Sequence, residues 1–463
     1  MAITRRDFIK TSAIVSGAGM FLHSPLRGHN MKKNSEKLIT VADVDSNFER
    51  EPLIRPFGFK GGYMREIWQT AAMVKSESGI RKIGTCSQSV LWSDARVFSS
   101  HSESGGNALM YSMTEYGLHL LKGRSFTDPV ALLDEIWPLV YDYGRRICAK
   151  DDLRQTFALN SLVGVDNALW LLYAAENNIT NFDDMVPEVY KPALSHHHDR
   201  IASIPLMAYS IPVGEIKAAA DQGYFFMKIK IGQPGTQTEM LEKDMLRITE
   251  VHKAIGDART VYSKSGKLPY YFDANGRYES KDTLMRLLDH AKKIGAFDQI
   301  AIIEEPFAEH LEINIKDIPV RIAADESAHT EKDALKCVQM GYNAIALKSI
   351  AKTLSMTMKI ARVAYDHKVP CFCADLTVNP ILVEWNKNIA ARLSPFPGIG
   401  IGLLETNGNQ NYKNWEIMKG YHPCKDAPWT QTKDGIFELN DDFYAKSGGI
   451  FMPSAHYKEM FPE

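Results

Sequence analysis

No stretch of the 463 residues approaches the ~20 unbroken apolar positions that a bilayer span requires, so the sequence asks for no stable membrane span. Charge of one sign is equally lacking. The 54 Lys and Arg against 56 Asp and Glu leave a formal net charge of -2, which gives no footprint for nucleic acid or an anionic surface and favours a small-molecule partner. Cysteine is sparse: Cys86, Cys148, Cys337, Cys371, Cys373 and Cys424 are scattered, with no C-x-x-C pair. Cys371 and Cys373 lie two apart on one predicted strand, a poor geometry for bridging each other, and no disulfide framework is read. A G-x-G-x-x-G after a strand and a P-loop are also missing, which removes support for the nucleotide-binding forms of an open α/β sheet.

What is present begins with Thr4-Arg5-Arg6-Asp7-Phe8-Ile9-Lys10 and a weakly apolar run from Thr11 to Leu22. Residues 1–30 resemble a twin-arginine export signal, which implies periplasmic localisation of a protein exported already folded. From 37 to 200 the chain reads as an α+β domain: strands at 38–41, 66–74 and 83–91, loops at Arg50–Tyr63 and Ser99–Asn107, a helix opening at Thr127-Asp128-Pro129, and another over 152–177. From 203 to 420 short apolar strands alternate with amphipathic helices, eight times. The strands fall at 204–210, 224–231, 268–274, 300–306, 321–327, 344–349, 370–375 and 399–405. Such a run argues for a closed parallel barrel whose chemistry sits at the carboxyl ends of its strands, with an open doubly wound sheet as the alternative. The His196-His197-His198 run reads as a solvated loop, because adjacent side chains point apart.

The strand ends carry the informative residues. Strand two ends Lys228-Ile229-Lys230, strand three Asp273-Ala274-Asn275, strand four Glu304-Glu305-Pro306, strand five Asp325-Glu326-Ser327, and strand six Lys348. Acids at three successive strand ends converge on one point and suit a hard cation such as Mg²⁺. One acid at a strand end is ordinarily a helix cap or an ion pair; three in a row flanked by lysines are not.

In these motifs (Lys228-x-Lys230, Phe-Asp-Ala-Asn at 272–275, Ile-Glu-Glu-Pro at 303–306, Ala-Asp-Glu-Ser at 324–327 and Leu-Lys at 347–348), the sequence resembles the enolase superfamily. The likeness is to its muconate-lactonizing, mandelate-racemase-like and dipeptide-epimerase branch. The resemblance implies a modified (β/α)8 barrel with an N-terminal α+β domain capping its mouth, residues 421–463 packing on that cap, and the two loops closing over substrate. It implies Asp273, Glu304 and Asp325 as metal ligands, with Glu305 and Glu326 behind them. Lys230 and Lys348 become acid/base groups on opposite faces of the substrate, and Glu405 a partner of its carboxylate; Asn275 and Asp375 complete the surroundings. The sequence departs from the pattern in three places. No Gly-Gly follows Lys348, so Lys352 is a rival for its role; Glu405-Thr406-Asn407 replaces the Asp-x-Asp with which dipeptide epimerases hold an amino group; and strand seven ends Cys373-Ala374-Asp375 without the mandelate-type His.

The physics fits these roles. A proton beside a carboxylate is very weakly acidic, so its removal to an enediolate needs positive charge where the negative charge develops. The resemblance implies a lysine base working beside Mg²⁺. Lys228 lies on the same strand face as Lys230, and its charge favours the neutral form of that neighbour. The expected reaction is therefore 1,1-proton transfer on a carboxylate by a racemase or epimerase. A dehydratase that expels a β-hydroxyl from an acid sugar shares the first step, and a catalytically silent binding protein is the rival from another class. Substrate identity and homo-oligomer formation stay open.

Overall fold

The structure is a computed structural model that describes residues 37–59 and 62–462; the expected export signal lies outside these residues. The N-terminal part holds a four-stranded antiparallel sheet of β1 (Ile39–Phe59), β2 (Gly62–Ser76), β3 (Arg81–Gln88) and β4 (Ser125–Phe126), ordered β3-β2-β1-β4. In β2 the apolar run buries both faces. Ala71 and Met73 meet Tyr457 and Phe461 of the C-terminal segment, while Ala72 and Val74 join the main core. The helix Val163–Glu176 approaches β3 so closely that a side-chain carbon at Gly84 would stand 2.1 Å from the main-chain oxygen of Gly164. Glycine is the residue that fits this contact.

Two loops expected here are regular structure. Residues 50–59 and 62–63 lie in the paired strands of the β1–β2 ribbon, with a register irregularity between Pro52 and Phe57 that accommodates the proline. The Ser/Gly-rich stretch 99–107 joins the helices Ala95–His101 and Glu103–Leu121, and its polar residues act as caps: the Ser102 side chain accepts from Gly105 N. The helix expected over 152–177 is two, Gln155–Ser161 and Val163–Glu176, bent by 47°. Asp128 does cap the helix Pro129–Ile147. Among the described residues no single helix is long and apolar enough to cross a membrane.

The second sheet contains β5 (Arg200–Ile204), β6 (Leu206–Met207), β7 (Met227–Lys230), β8 (Tyr270–Asp273), β9 (Ile300–Glu304), β10 (Ile322–Ala324), β11 (Ala344–Leu347), β12 (Cys371–Cys373), β13 (Gly402–Glu405) and β14 (Ile436–Glu438). β5 pairs with β13, and β6 with β7. Only Pro205 separates β5 from β6, so the two are one strand interrupted where proline has no N–H to give, and the parallel ring closes. The Gln410 side chain patches the break, accepting from Leu206 N at 2.9 Å and donating to Leu206 O at 3.3 Å. β14 adds antiparallel to β5, so the segment after 421 packs on the barrel as well as on the cap.

The alternation of strand and helix is incomplete. Between β9 and β10 the described chain forms only a 3₁₀ turn, Glu309–Leu311, and β13 is followed by two short helices, Gly408–Asn411 and Trp415–Lys419. The other expected helices are present at Gln237–Ile255, Lys281–Lys293 and Leu354–Asp366. The first opens on a reciprocal cap between Thr236 and Glu239. The His run is not simply solvated: His198 is buried with Nε2 at 3.0 Å from Leu393 O, and His197 meets Asp183.

A buried polar seam joins cap and barrel. Gln69 Oε1 accepts from Ser87 Oγ at 2.7 Å and from Asn379 Nδ2 at 3.0 Å, and Gln69 Nε2 donates to Tyr412 OH at 2.7 Å. On another face Asp166 accepts from Ser355 N and Ser355 Oγ, while Trp170 Nε1 donates to Ser355 Oγ at 2.9 Å. Each bond contributes only about 1 kcal/mol net, but leaving such buried groups unpaired costs about 1–3 kcal/mol apiece.

Candidate active site

Strand register brings the titratable residues to one layer. Lys230 lies opposite Asp273, and Asp273 opposite Glu304, on adjacent parallel strands. Asp325 and Glu326 follow β10, Lys348 follows β11, Asp375 follows β12, and Glu405 ends β13; all are buried. Four non-glycine residues just past strands of the ring adopt left-handed backbone, Asn275 (φ 46), Glu305 (φ 42), Thr353 (φ 70) and Thr377 (φ 58). Such conformations cost about 1–3 kcal/mol each and cluster at functional sites.

Lysines and carboxylates interlock. Lys228 Nζ lies 2.8 Å from Glu304 Oε1, 3.0 Å from Asp273 Oδ2 and 3.2 Å from Glu405 Oε2. Lys230 Nζ donates to Asp273 Oδ2 and Asn275 Oδ1, both at 2.5 Å. Lys348 pairs with Asp325 Oδ2, and Tyr271 OH donates to Glu304 Oε2. Burial alone would lower the Lys228 ammonium, but the surrounding carboxylates raise it well above its ordinary value. The same balance raises Lys348 through Asp325. Burial pushes Asp273 up, yet Lys228 and Lys230 outweigh it and hold this carboxyl at about 2. Glu304 is raised well above the carboxylate range by burial and by the charge of Asp273, so between Asp273 and Glu304 it is Glu304 that takes a proton more readily.

The carboxylates of Glu304, Asp325 and Glu326 each offer an oxygen within 4.8 Å of the others. Glu326 Oε2 is buried without a hydrogen-bond partner, while Glu326 Oε1 accepts from Asn275 Nδ2 at 3.1 Å. Asp273 borders this group through the lysine it shares with Glu304. An all-carboxylate donor set with an unpartnered buried oxygen fits a hard divalent cation. Glu305 faces elsewhere: it accepts from Asp325 N at 2.8 Å, from Ser327 N at 3.2 Å and from the Ser327 hydroxyl, tying β9 to the turn after β10. Burial, and then the Glu326 charge, push it up to about 8.

Lys228, Lys230, Lys348, Asn275, Asp325, Asp375, Glu405 and Asn407 line a small cavity of about 40 Å³. Its roof comes from the cap: Phe57 and Phe59 from the ribbon end, Met64 from β2, and Trp92, whose ring lies 4.4 Å from Lys348 Nζ. The stretch 99–107 does not line it. Lys352 is absent from this wall too, and donates to Asp325 O at 2.6 Å from behind, so Lys348 is the lysine that faces the cavity. Asp375 accepts main-chain N–H groups of Leu376 and Asn407 and is raised to about 7 by burial and by Glu405.

Residues 213–398 match the family model described as enolase C-terminal domain-like. Over that stretch the barrel is similar to the enolase C-terminal domain-like family. Solved structures share the fold across most of the chain at low identity. A mandelate racemase/muconate lactonizing protein from Herpetosiphon aurantiacus is 13% identical with a TM-score of 0.59, over 87% of this chain and 96% of that one. A dipeptide epimerase from Methylococcus capsulatus, complexed with Mg and L-Arg-D-Lys, is 20% identical with a TM-score of 0.57, over 87% and 97%. Another from Cytophaga hutchinsonii, complexed with Mg and D-Ala-L-Val, is 19% identical with a TM-score of 0.58, over 81% and 89%. No curated protein matches the chain in sequence.

Sequence reasoning placed the stretch 50–63, which holds Phe57 and Phe59, over the substrate, but missed Met64 and Trp92 of the roof, Tyr271, and the bracket formed by Arg154. Arg154 donates to Glu309 Oε1 at 3.0 Å, to Trp92 O at 3.1 Å and to Glu326 O at 3.4 Å, and Glu309 also meets His329 at 2.6 Å. Only Tyr271 carried a signal, since it lies two residues before Asp273 on the same strand face.

Proposed function

We propose that the protein is a Mg²⁺-dependent enzyme that removes the proton α to a carboxylate and returns it on the opposite face, as a racemase or epimerase. The observation that carries this reading is the placement of Lys230 and Lys348. They come from β7 and β11, four strands apart around the ring, yet line the same cavity with Asp325 between them. Glu304 and Asp325, with Asp273 or Glu326, would hold the cation, and Mg in the solved epimerase complexes supports its identity. A divalent cation there supplies positive charge to the substrate carboxylate as negative charge builds on it.

The chain's own groups do the rest. Lys230 takes the proton from one face and Lys348 delivers one from the other, each needing its neutral form to act as base. Both begin paired with an acid, Asp273 and Asp325, so engagement of these acids elsewhere releases the amines toward substrate. Lys228, held by Asp273, Glu304 and Glu405, stays charged and steadies the layer. The aromatic roof excludes water, which strengthens every charge interaction beneath it.

The test is a panel of N-acyl amino acids, hydroxy acids, dipeptides and acid sugars incubated with enzyme and Mg²⁺ in D₂O. The expected result is deuterium at the α-carbon of one class with inversion of configuration, read by NMR. Loss of water from an acid sugar would replace the racemase reading with the dehydratase. Saturable binding of a carboxylate without exchange would leave only a binding role.

We further propose that residues 1–30 direct export to the periplasm through the twin-arginine route. The paired arginines, Phe8, Lys10 and the mild apolar run support it. Changing Arg5 and Arg6 to Lys should retain active enzyme in the cytoplasm, seen by fractionation; undiminished export of that variant would rule the route out.

A further inference from the structure

The two carboxylate oxygens of Asp325 are held by different lysines. Lys348 takes Oδ2 from the cavity side. Lys352 takes Oδ1 at 3.3 Å and, with the same ammonium, the main-chain oxygen of Asp325 at 2.6 Å. The short helix Ser349–Lys352 sets this spacing: Lys348 is its N-cap, Lys352 N bonds Lys348 O at 2.8 Å, and Thr353 at φ 70 ends it. Residues four apart fall on one helix face, so the pair straddles the carboxylate.

The two lysines differ in freedom. Lys348 borders the cavity and the Trp92 ring, and can withdraw from Oδ2 without leaving a polar wall. Lys352 is 1% exposed, outside the cavity wall, and its departure would strand a buried ammonium and a buried carbonyl together. A cation that takes Asp325 can therefore displace Lys348 at Oδ2 but not Lys352 at Oδ1.

We infer that Lys352 is a positioning residue that restricts Asp325 to single-oxygen coordination and so biases the metal site toward Mg²⁺ over Ca²⁺; this rests on Asp325 being a ligand. Mg²⁺ demands near-octahedral geometry, whereas Ca²⁺ takes six to eight oxygens and readily uses both atoms of a carboxylate. Blocking Oδ1 removes the second atom from the larger ion and leaves the smaller one unaffected.

Calorimetric titration of the full chain with Mg²⁺ and with Ca²⁺ tests this, comparing wild type with Lys352→Met and Lys352→Arg. The methionine should narrow the preference for Mg²⁺ at least about tenfold, mainly by tightening Ca²⁺, because Oδ1 becomes free for the ion that uses it. The arginine keeps the cation and should stay within about twofold of wild type. Near-UV circular dichroism reports whether the methionine variant folds. If it does not, Lys352→Gln keeps a donor for the Asp325 carbonyl without the charge, and carries the same expectation. A change below about twofold in a folded uncharged variant, or loss of both ions, would overturn the inference. A wild type that binds neither ion overturns the ligand reading itself, and the inference with it.

Discussion

Replacing Lys230 with alanine should lower turnover at least ~10²-fold, the scale on which a positioned acid/base group acts, and Lys348→Ala should do the same. The more informative result is which proton each variant still moves. With lysines on both faces, each single variant keeps one base. It should exchange the α-proton of one enantiomer with solvent deuterium and fail on the other, and the two variants should differ in which one. Proton NMR of each enantiomer in D₂O reads this directly. Loss of exchange for both enantiomers in one variant, with the other unaffected, would mean a single base and an electrostatic partner, which is the pattern of a dehydratase.

Asp325→Asn and Glu304→Gln should abolish measurable Mg²⁺ binding at concentrations that saturate wild type, and activity should fall with it. Asn275→Ala sets the scale. Asn275 Nδ2 reaches Asp273 Oδ2 at 3.2 Å and Glu326 Oε1 at 3.1 Å without belonging to the carboxylate group, so its loss should cost about 10–100-fold in metal affinity. A ligand must exceed that. The pair Asp273→Asn and Glu326→Gln then identifies the third ligand, with the larger loss expected for Asp273. The reverse order would make Glu304, Asp325 and Glu326, the acids whose oxygens lie within 4.8 Å of one another, the ligand set. Calorimetry or Mn²⁺ resonance gives both numbers without a substrate.

The barrel is legible in the sequence because parallel strands buried on both faces read as short apolar runs, and because chemistry in this architecture collects at strand ends, where sequence position translates into spatial position. For that reason the residue order alone is enough to put Lys230, Asp273 and Glu304 in one layer. The cap is less legible. Residues 50–63 carry the prolines and glycines of a loop, yet 50–59 and 62–63 pair as a ribbon, since Phe57 and Phe59 meet cross-strand partners that local composition does not reveal. Ser102 and Gly105 spell a loop locally and a helix cap in context. Lys348 and Lys352 cannot be ranked by spacing either, because the distinction depends on which side of Asp325 each approaches. The roof formed by Trp92 and the ribbon comes from residues far before Lys228 in the chain, at a separation where no periodicity speaks.

The cavity beneath that roof has about 40 Å³, room on the scale of a single water and far below any carboxylate substrate. Something must open, and the polar seam restricts what. Swinging cap from barrel as rigid halves would break the bonds that Gln69 makes to Asn379 and Tyr412 and that Asp166 makes to Ser355, each deep in the interior. The seam thus works as a latch against hinge motion. What covers the pocket is then the β1–β2 ribbon, whose Phe57 and Phe59 pair with Met64 and Gly62, so the residues that seal the pocket also stand in the path of entry.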